Sequence, residues 1–241
     1  MSCIDILTSP KKKLGFLIDP DNYTEDQLKE AVKSANTALV DVILIGGSIV
    51  STRLDAHINF IKSHSDIPVL LFPGNLLQLS NKADGILLLS LISGRNPEFL
   101  IGNHVLAAPY IKASEMECVP TAYILINGGN VTSVEYISNT KPIPQNKHDI
   151  IVATSVAGEL MGNKLTYLEC GSGADVHVNP EIVKKVAENT NIPLIVGGGI
   201  RTPETAIELL KAGANMIVVG NAIEHKTSLL VEMKNRINLD L

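Results

Sequence analysis

The sequence predicts an α/β protein, a (β/α)8 TIM barrel made by one domain over residues 1–241, and three observations predict it. Short apolar runs rich in branched residues recur about eight times along the chain. Each is followed by a segment with helical spacing or by a turn rich in Gly, Pro, Asn and Ser, which is the alternation that builds a parallel sheet. The runs are apolar throughout rather than at every second position, so both faces of each strand are covered.

The strands read as Leu14–Ile18, Asp41–Ile45, Pro68–Phe72, Gly85–Leu89, Thr121–Ile126, Leu165–Glu169, Pro193–Val196 and Met216–Val219. Helix starts follow three of them: Thr24 with Glu25 and Asp26 before Leu28, Asn179-Pro180-Glu181 before Ile182, and Thr202-Pro203-Glu204 before Ala206. Thr and Asn accept hydrogen bonds from the free N–H groups of a first turn, Pro needs no N–H there, and acidic residues suit the positive helix end. The last of these helices stops at Lys211-Ala212-Gly213-Ala214, a basic final turn followed by a glycine. The segment Asn96–Pro109 has helical apolar spacing broken by Gly102 and Asn103, so one crossover is expected to be irregular.

Composition narrows the classes. Hydrophobic residues make up 45% and charged residues 19% of the chain, a globular balance with no linker-like stretch. No run approaches the roughly 18 apolar residues of a membrane span, and Met1–Lys13 lacks the basic, apolar, small-residue order of a secretory signal. A cytoplasmic protein is the expectation. Cys3, Cys118 and Cys170 have no metal-like spacing and read as thiols in a reducing compartment. The six histidines show no i, i+4 pair, so no zinc site is expected. A formal charge of −5 argues against a nucleic-acid partner, and the basic run Lys11–Lys13 reads as a solvated approach to the first strand.

In a (β/α)8 barrel the chemistry sits at the C-terminal ends of the strands. Here those ends read Asp19-Pro20-Asp21, Gly46-Gly47-Ser48, Phe72-Pro73-Gly74-Asn75, Ser90, Asn127-Gly128-Gly129-Asn130, Glu169-Cys170-Gly171-Ser172-Gly173, Gly197-Gly198-Gly199-Ile200 and Gly220-Asn221. Glycine turns after the last two strands let a phosphate approach bare N–H groups, although glycines also make tight βα turns. Arg201 either adds charge to that phosphate or stands exposed at the helix start. Alternation along Tyr167-Leu168-Glu169 directs Tyr167 and Glu169 to one face, where a carboxylate can take a proton from a substrate hydroxyl and a tyrosine can bond the same polyol. A buried ion pair or a cap for the glycine loop is the other reading of Glu169. Asp19 and Asp21 form an oxygen-rich turn suited to Mg²⁺, with Ser48 as a neutral donor from the next strand, but Asp-Pro-Asp is also an ordinary turn sequence.

The string Tyr167-Leu168-Glu169-Cys170-Gly171-Ser172-Gly173-Ala174 resembles the geranylgeranylglyceryl phosphate synthase family. So do Leu17-Ile18-Asp19-Pro20-Asp21, Gly46-Gly47-Ser48, Gly197-Gly198-Gly199-Ile200-Arg201 and Gly220-Asn221, and the likeness runs over nearly the whole chain. The resemblance implies Mg²⁺-dependent prenyl transfer from an isoprenoid diphosphate, usually geranylgeranyl diphosphate, to the 3-hydroxyl of sn-glycerol 1-phosphate. It implies that Tyr167, Leu168, Glu169, Cys170, Gly171, Ser172 and Gly173 hold the glycerol, and Gly198, Gly199, Gly220 and Asn221 its phosphate. Asp19, a catalytic candidate, and Ser48 then stand near the metal and the diphosphate, with Glu169 as base. It also implies a homo-oligomer, a dimer or an array of dimers, with transient membrane contact. One branch of the family has a lysine where this chain has Leu17. The apolar stretch from Phe72 through Leu91 to Tyr110 reads as a prenyl groove or as plain core. Two other classes stay open: a sugar-phosphate isomerase or aldolase, although no strand end carries a Schiff-base lysine, and an inactive barrel that binds a phosphorylated metabolite.

Overall fold

The computed structural model describes residues 2–241, and its eight strands form a closed parallel barrel in chain order, with the last paired back onto the first. In sequence the elements are α1 (Cys3–Thr8), β1 (Lys13–Ile18), α2 (Glu25–Ala38), β2 (Val42–Ile45), α3 (Leu54–His64), β3 (Val69–Leu71), β4 (Gly85–Leu91), α4 (Asn103–Ser114) and β5 (Glu117–Leu125). They continue as α5 (Ser133–Ser138), α6 (His148–Leu160), β6 (Leu165–Glu169), α7 (Pro180–Asn189), β7 (Leu194–Gly197), α8 (Pro203–Lys211), β8 (Met216–Val219), α9 (Asn221–His225) and α10 (Leu229–Asp240). Among the described residues no helix is long and apolar enough to cross a membrane.

The helix starts fall where the caps predict. Thr24 accepts the Gln27 N–H in a reciprocal capping box, Asn179 accepts from Glu181, and Thr202 accepts from Thr205. Strand β5 begins four residues before its predicted start and runs through Pro120, carried by a seven-pair ladder to β4. The predicted irregular crossover is a π-helical segment, Glu98–Gly102, leading straight into α4, where Pro109 lies inside the helix. A second irregularity was not foreseen: β3 and β4 are joined by a short 3₁₀ turn, Leu76–Gln78, with no covering helix.

Alternation along each strand divides the core in two. Leu44, Leu70, Leu87, Val119, Leu165, Ile195 and Met216 fill the barrel interior, while Phe16, Ile18, Ile43, Ile45, Leu168 and Val196 pack under the helices. Each such side chain contributes about 1.5–3 kcal/mol on burial. At the N-terminal end, α1 lays Cys3 and Leu7 against the interior cluster, and the Glu117 carboxylate accepts the N–H groups of Cys3 and Ile4.

The basic run is not uniformly solvated. Lys13 is 1% exposed, with its ammonium donating to the carbonyls of Ser9 and Lys11, because inward alternation on β1 carries it beneath the barrel. Nearby, Asp41 accepts the Leu14 N–H and pairs with the buried Lys234 of α10, tying the last helix to the first two strands. Asp41→Ala leaves the Lys234 ammonium buried without its counter-charge and should cost about 3–5 kcal/mol. Lys11→Ala, removing an exposed partner 3.8 Å from Asp41, should cost less than about 0.5 kcal/mol. Equilibrium urea unfolding of the two variants checks this, and equal losses would contradict it.

Candidate active site

Two cavities adjoin at the C-terminal end of the barrel, sharing Ser48, Phe72, Tyr123 and Val134 in their walls. Their floor is aromatic. The ring centroids of Phe72, Tyr123 and Tyr167 lie 5.3 to 5.9 Å apart, three inward side chains from β5, β6 and the end of β3.

The polar cavity is built from the ends of β6, β7 and β8. Glu169, the last residue of β6, is 5% exposed, and its Oε1 accepts the Gly171 N–H at 2.6 Å. Burial pushes its carboxyl up to about 7, against the opposing pull of the Gly171 N–H and the Tyr167 hydroxyl. That hydroxyl lies beside the carboxylate yet forms no hydrogen bond of normal geometry with any protein group, so it is free to bond a ligand. Both groups press on β7: a Cβ on Gly197 would stand 2.4 Å from the Tyr167 oxygen and 2.9 Å from Glu169 Oε2. At Gly198 it would stand 2.4 Å from Glu169 Oε1, and φ there is +83°, so only glycine fits on both counts.

Around this carboxylate the N–H groups of Ser172, Gly173, Gly198, Gly199, Gly220 and Asn221 meet no acceptor among the described residues. These six donors come from three neighbouring loops whose residues line one cavity, an arrangement suited to the oxygens of a phosphate. Arg201 also lines it, but its guanidinium is held by the carbonyls of Ala174 and Asp175, so it braces the β6 loop while lending its charge to the site. Asn221 leans on Glu224 through a 3.4 Å contact, and Glu224 in turn accepts from Asn22 after β1.

Asp19 and Asp21 part company. Asp21 accepts from the N–H groups of Ser51 and Thr52 and from the Thr52 hydroxyl, and these bonds, that of the Ser51 N–H above all, lower its carboxyl to about 2. It fastens the β1 and β2 loops together. Asp19 accepts only the Asp21 N–H, on Oδ1, while Oδ2 would stand 2.6 Å from a Cβ on Gly47, beside Ser48. Burial raises its carboxyl, with further push from Asp21 and Glu224. A half-buried, under-bonded carboxylate fits Mg²⁺, which takes one or two protein oxygens and completes its shell with phosphates and water. Among the described residues no group of three or more His, Cys, Asp or Glu side chains is placed to hold a metal alone.

The apolar cavity passes through the sheet. β3 pairs with β4 over only two residues, Leu70↔Gly85 and Leu71↔Ile86, whereas β4 pairs with β5 over seven. Beyond Leu71 the two strands part, and the space between them is lined from the interior by Leu89 and Leu91 and from the outer layer by Leu88, Ala107 and Ile111. Phe99 and α4 wall its far side, with His104 bonded to Ser90 of β4 at 3.0 Å.

The predicted residues Tyr167, Glu169, Gly171, Ser172, Gly173, Gly198, Gly199, Gly220, Asn221 and Ser48 all line the polar cavity. Leu168, Cys170 and Asp19 do not. The side chains of Leu168 and Cys170 are buried in the outer layer under the helices, so alternation leaves them only backbone to offer, and Asp19 lies behind Gly47, outside the walls of both cavities. Phe72 and Leu91 line the apolar cavity, but Tyr110 lies outside it on the exposed face of α4. Tyr123, Val134 and Gln78 were missed. Period-two spacing from Thr121 directs Tyr123 inward, but that it meets Phe72 and Tyr167 is a matter of register and closure.

The chain matches the PcrB family over residues 8–237. It is 47% identical to a geranylgeranylglyceryl phosphate synthase of Chitinophaga pinensis over 98% of this chain and 94% of that one. Identity to the synthase of Methanosphaera stadtmanae is 42%, over 90% of this chain and 89% of that one. The structure superposes with a TM-score of 0.93 and 35% identity, covering 98% of both chains, on the (S)-3-O-geranylgeranylglyceryl phosphate synthase of Thermoplasma acidophilum in complex with sn-glycerol-1-phosphate. A thiamine phosphate pyrophosphorylase of Pyrococcus furiosus, at 16% identity and a TM-score of 0.59, shares the fold alone.

Because Glu169 prefers a proton in the folded chain, its burial costs stability as pH rises from its unfolded value near 4.5 through about 7, and the cost is constant above that. Glu169→Gln removes it. Thermal unfolding at pH 8 should show the variant more stable than wild type, by as much as about 3 kcal/mol, with the gap closing toward pH 4.5. A gap independent of pH would contradict the assignment.

Proposed function

This chain belongs to the PcrB family of geranylgeranylglyceryl phosphate synthases, and from that premise we propose that it joins a prenyl diphosphate to the 3-hydroxyl of sn-glycerol 1-phosphate. The observation that carries the reading is the meeting of two unlike cavities, one of them built around a buried carboxylate. On one side free N–H groups suit a phosphate; on the other an apolar passage through the sheet suits an isoprenoid tail. A sugar-phosphate isomerase has no use for the second.

The glycerol phosphate binds with its phosphate on the amides of the β7 and β8 loops, which brings its hydroxyls over Glu169 and the unpaired Tyr167 hydroxyl. Tyr167 orients the 3-hydroxyl, and Glu169 accepts its proton as the oxygen attacks the allylic carbon. The C–O ether bond forms, the bond from that carbon to the diphosphate breaks, and diphosphate leaves. Asp19 and Ser48 would hold Mg²⁺, which when bound supplies positive charge against the departing diphosphate. The aromatic floor excludes water from a carbon that water would otherwise capture, and the fixed loops hold alcohol and allylic carbon in line.

Incubation of the purified protein with sn-glycerol 1-phosphate, Mg²⁺ and labelled C15, C20 or C35 diphosphates should give an acid-stable lipid phosphate. No product from any donor would sink the reading. Glu169→Gln should lower kcat by about 10²–10⁴ while the glycerol phosphate dissociation constant changes little. A base must be deprotonated to act, so wild-type kcat/KM should fall about tenfold per pH unit below roughly 7. Loss of that acid limb in the residual activity of the variant identifies Glu169 as its source, and its persistence assigns the base elsewhere.

A further inference from the structure

Gln78 ends the 3₁₀ turn after β3 and is 1% exposed, yet the proposed reaction does not use it. Both ends of its carboxamide engage the backbone of two loops. Oε1 accepts the N–H of Gly47 at 3.1 Å and of Gly74 at 3.2 Å, and Nε2 donates to the Gly47 carbonyl at 2.6 Å. The two loops are in direct backbone contact: a Cβ on Gly46 would stand 2.1 Å from the Phe72 carbonyl oxygen, and one on Gly74 would stand 2.3 Å from that of Gly47. Between them they carry Ser48, Phe72, Gly74 and Asn75, all in the wall of the apolar cavity, with Ser48 and Phe72 at its junction with the polar one.

This bond set stands where the sheet cannot do the same work. Past Leu71, β3 has no pairing with β4, so its continuation would swing free on that side. Gln78 fastens it to the β2 loop instead. We propose that Gln78 is a positioning residue which locks the β2 and β3 loops into one unit and so fixes the mouth through which the prenyl diphosphate enters. The inference rests on the reaction proposed above. A primary amide is required because one group must both accept and donate: a leucine does neither, and a carboxylate can accept from both N–H groups but has no hydrogen for the Gly47 carbonyl. The free N–H groups of the glycerol phosphate subsite come from the loops after β6, β7 and β8, and none of Gln78, Gly47 and Gly74 lines that cavity, which the clasped loops reach only through Ser48 and Phe72.

Gln78→Leu should raise the KM for geranylgeranyl diphosphate tenfold or more and leave the KM for sn-glycerol 1-phosphate within twofold. Ser80→Ala is the control, since it removes a buried hydrogen bond to Asp55 in the same segment without touching either loop. It should leave both constants within twofold, even where its midpoint of thermal unfolding drops as far as that of Gln78→Leu. Should Gln78→Leu fail to fold, Gln78→Glu, which keeps the acceptor but sets a charged oxygen against the Gly47 carbonyl in place of the donor, reads the same ratio of constants. A Gln78 variant whose two KM values are unchanged, or rise together, overturns the clasp, as does a Ser80→Ala variant with the same selective rise. Wild-type protein that makes no product from either substrate would instead refute the reaction itself.

Discussion

A closed barrel and an apolar cavity that opens sideways make opposite demands, and the two-pair contact between β3 and β4 is where this chain meets both. A sheet that pairs fully around its circumference encloses an interior filled by side chains, with no lateral way out. Here the barrel closes through its lower half, where Leu44, Leu70, Leu87 and Val119 pack as usual, and opens between two strands only above Leu71. The opening joins the interior to the layer under α4, and everything around it compensates: the long ladder from β4 to β5, the π-helical turn that sets α4 over the gap, and the amide of Gln78.

Two carboxylates with different surroundings stand at the C-terminal end of the barrel. Glu169 is desolvated over an aromatic floor and keeps its proton until near neutrality, the state of a base poised to exchange it. Asp19 is shifted in the same direction by burial and by the charges of Asp21 and Glu224, and a cation would relieve all three influences. Asp21, two residues on, is spent on holding loops. Neither shifted carboxylate has an ion-pair partner among the described residues, so the folded chain carries unfavourable charge at this end of the barrel. The fold bears it because the N-terminal face is tied by buried contacts, Lys234 to Asp41 and α1 to Glu117.

Much of this was legible in the sequence. Strand positions follow from continuous apolar runs, and seven of the eight agree within two residues at both ends; β5 differs because Pro120 hides its beginning, and the run of β4 continues two residues further, to Leu91. The glycine-rich ends predict an anion cradle since few residues but glycine allow such close approach. Period-two alternation brings Tyr167 and Glu169 to one face and by the same rule sends Leu168 to the other; the motif that resembles the family ran on through Leu168 and Cys170, but only alternate members of a strand can face a cavity. Lys13 deceived for the same reason, as charge argued for solvent while alternation carried it inward.

The sequence by itself determined the barrel, its glycine-rich C-terminal face and the placing of Tyr167 and Glu169 on one side of β6, because each is encoded in local patterns of period, turn chemistry and residue type. Tertiary structure alone decided that β3 and β4 part and that Phe72 meets Tyr123 and Tyr167. It decided, too, that Gln78 closes on two loops and that Asp21 is spent between the β1 and β2 loops while Asp19 keeps one carboxylate oxygen unbonded. These depend on register and on contacts between residues up to about a hundred positions apart, which follow from how the whole sheet closes. No local pattern carries that.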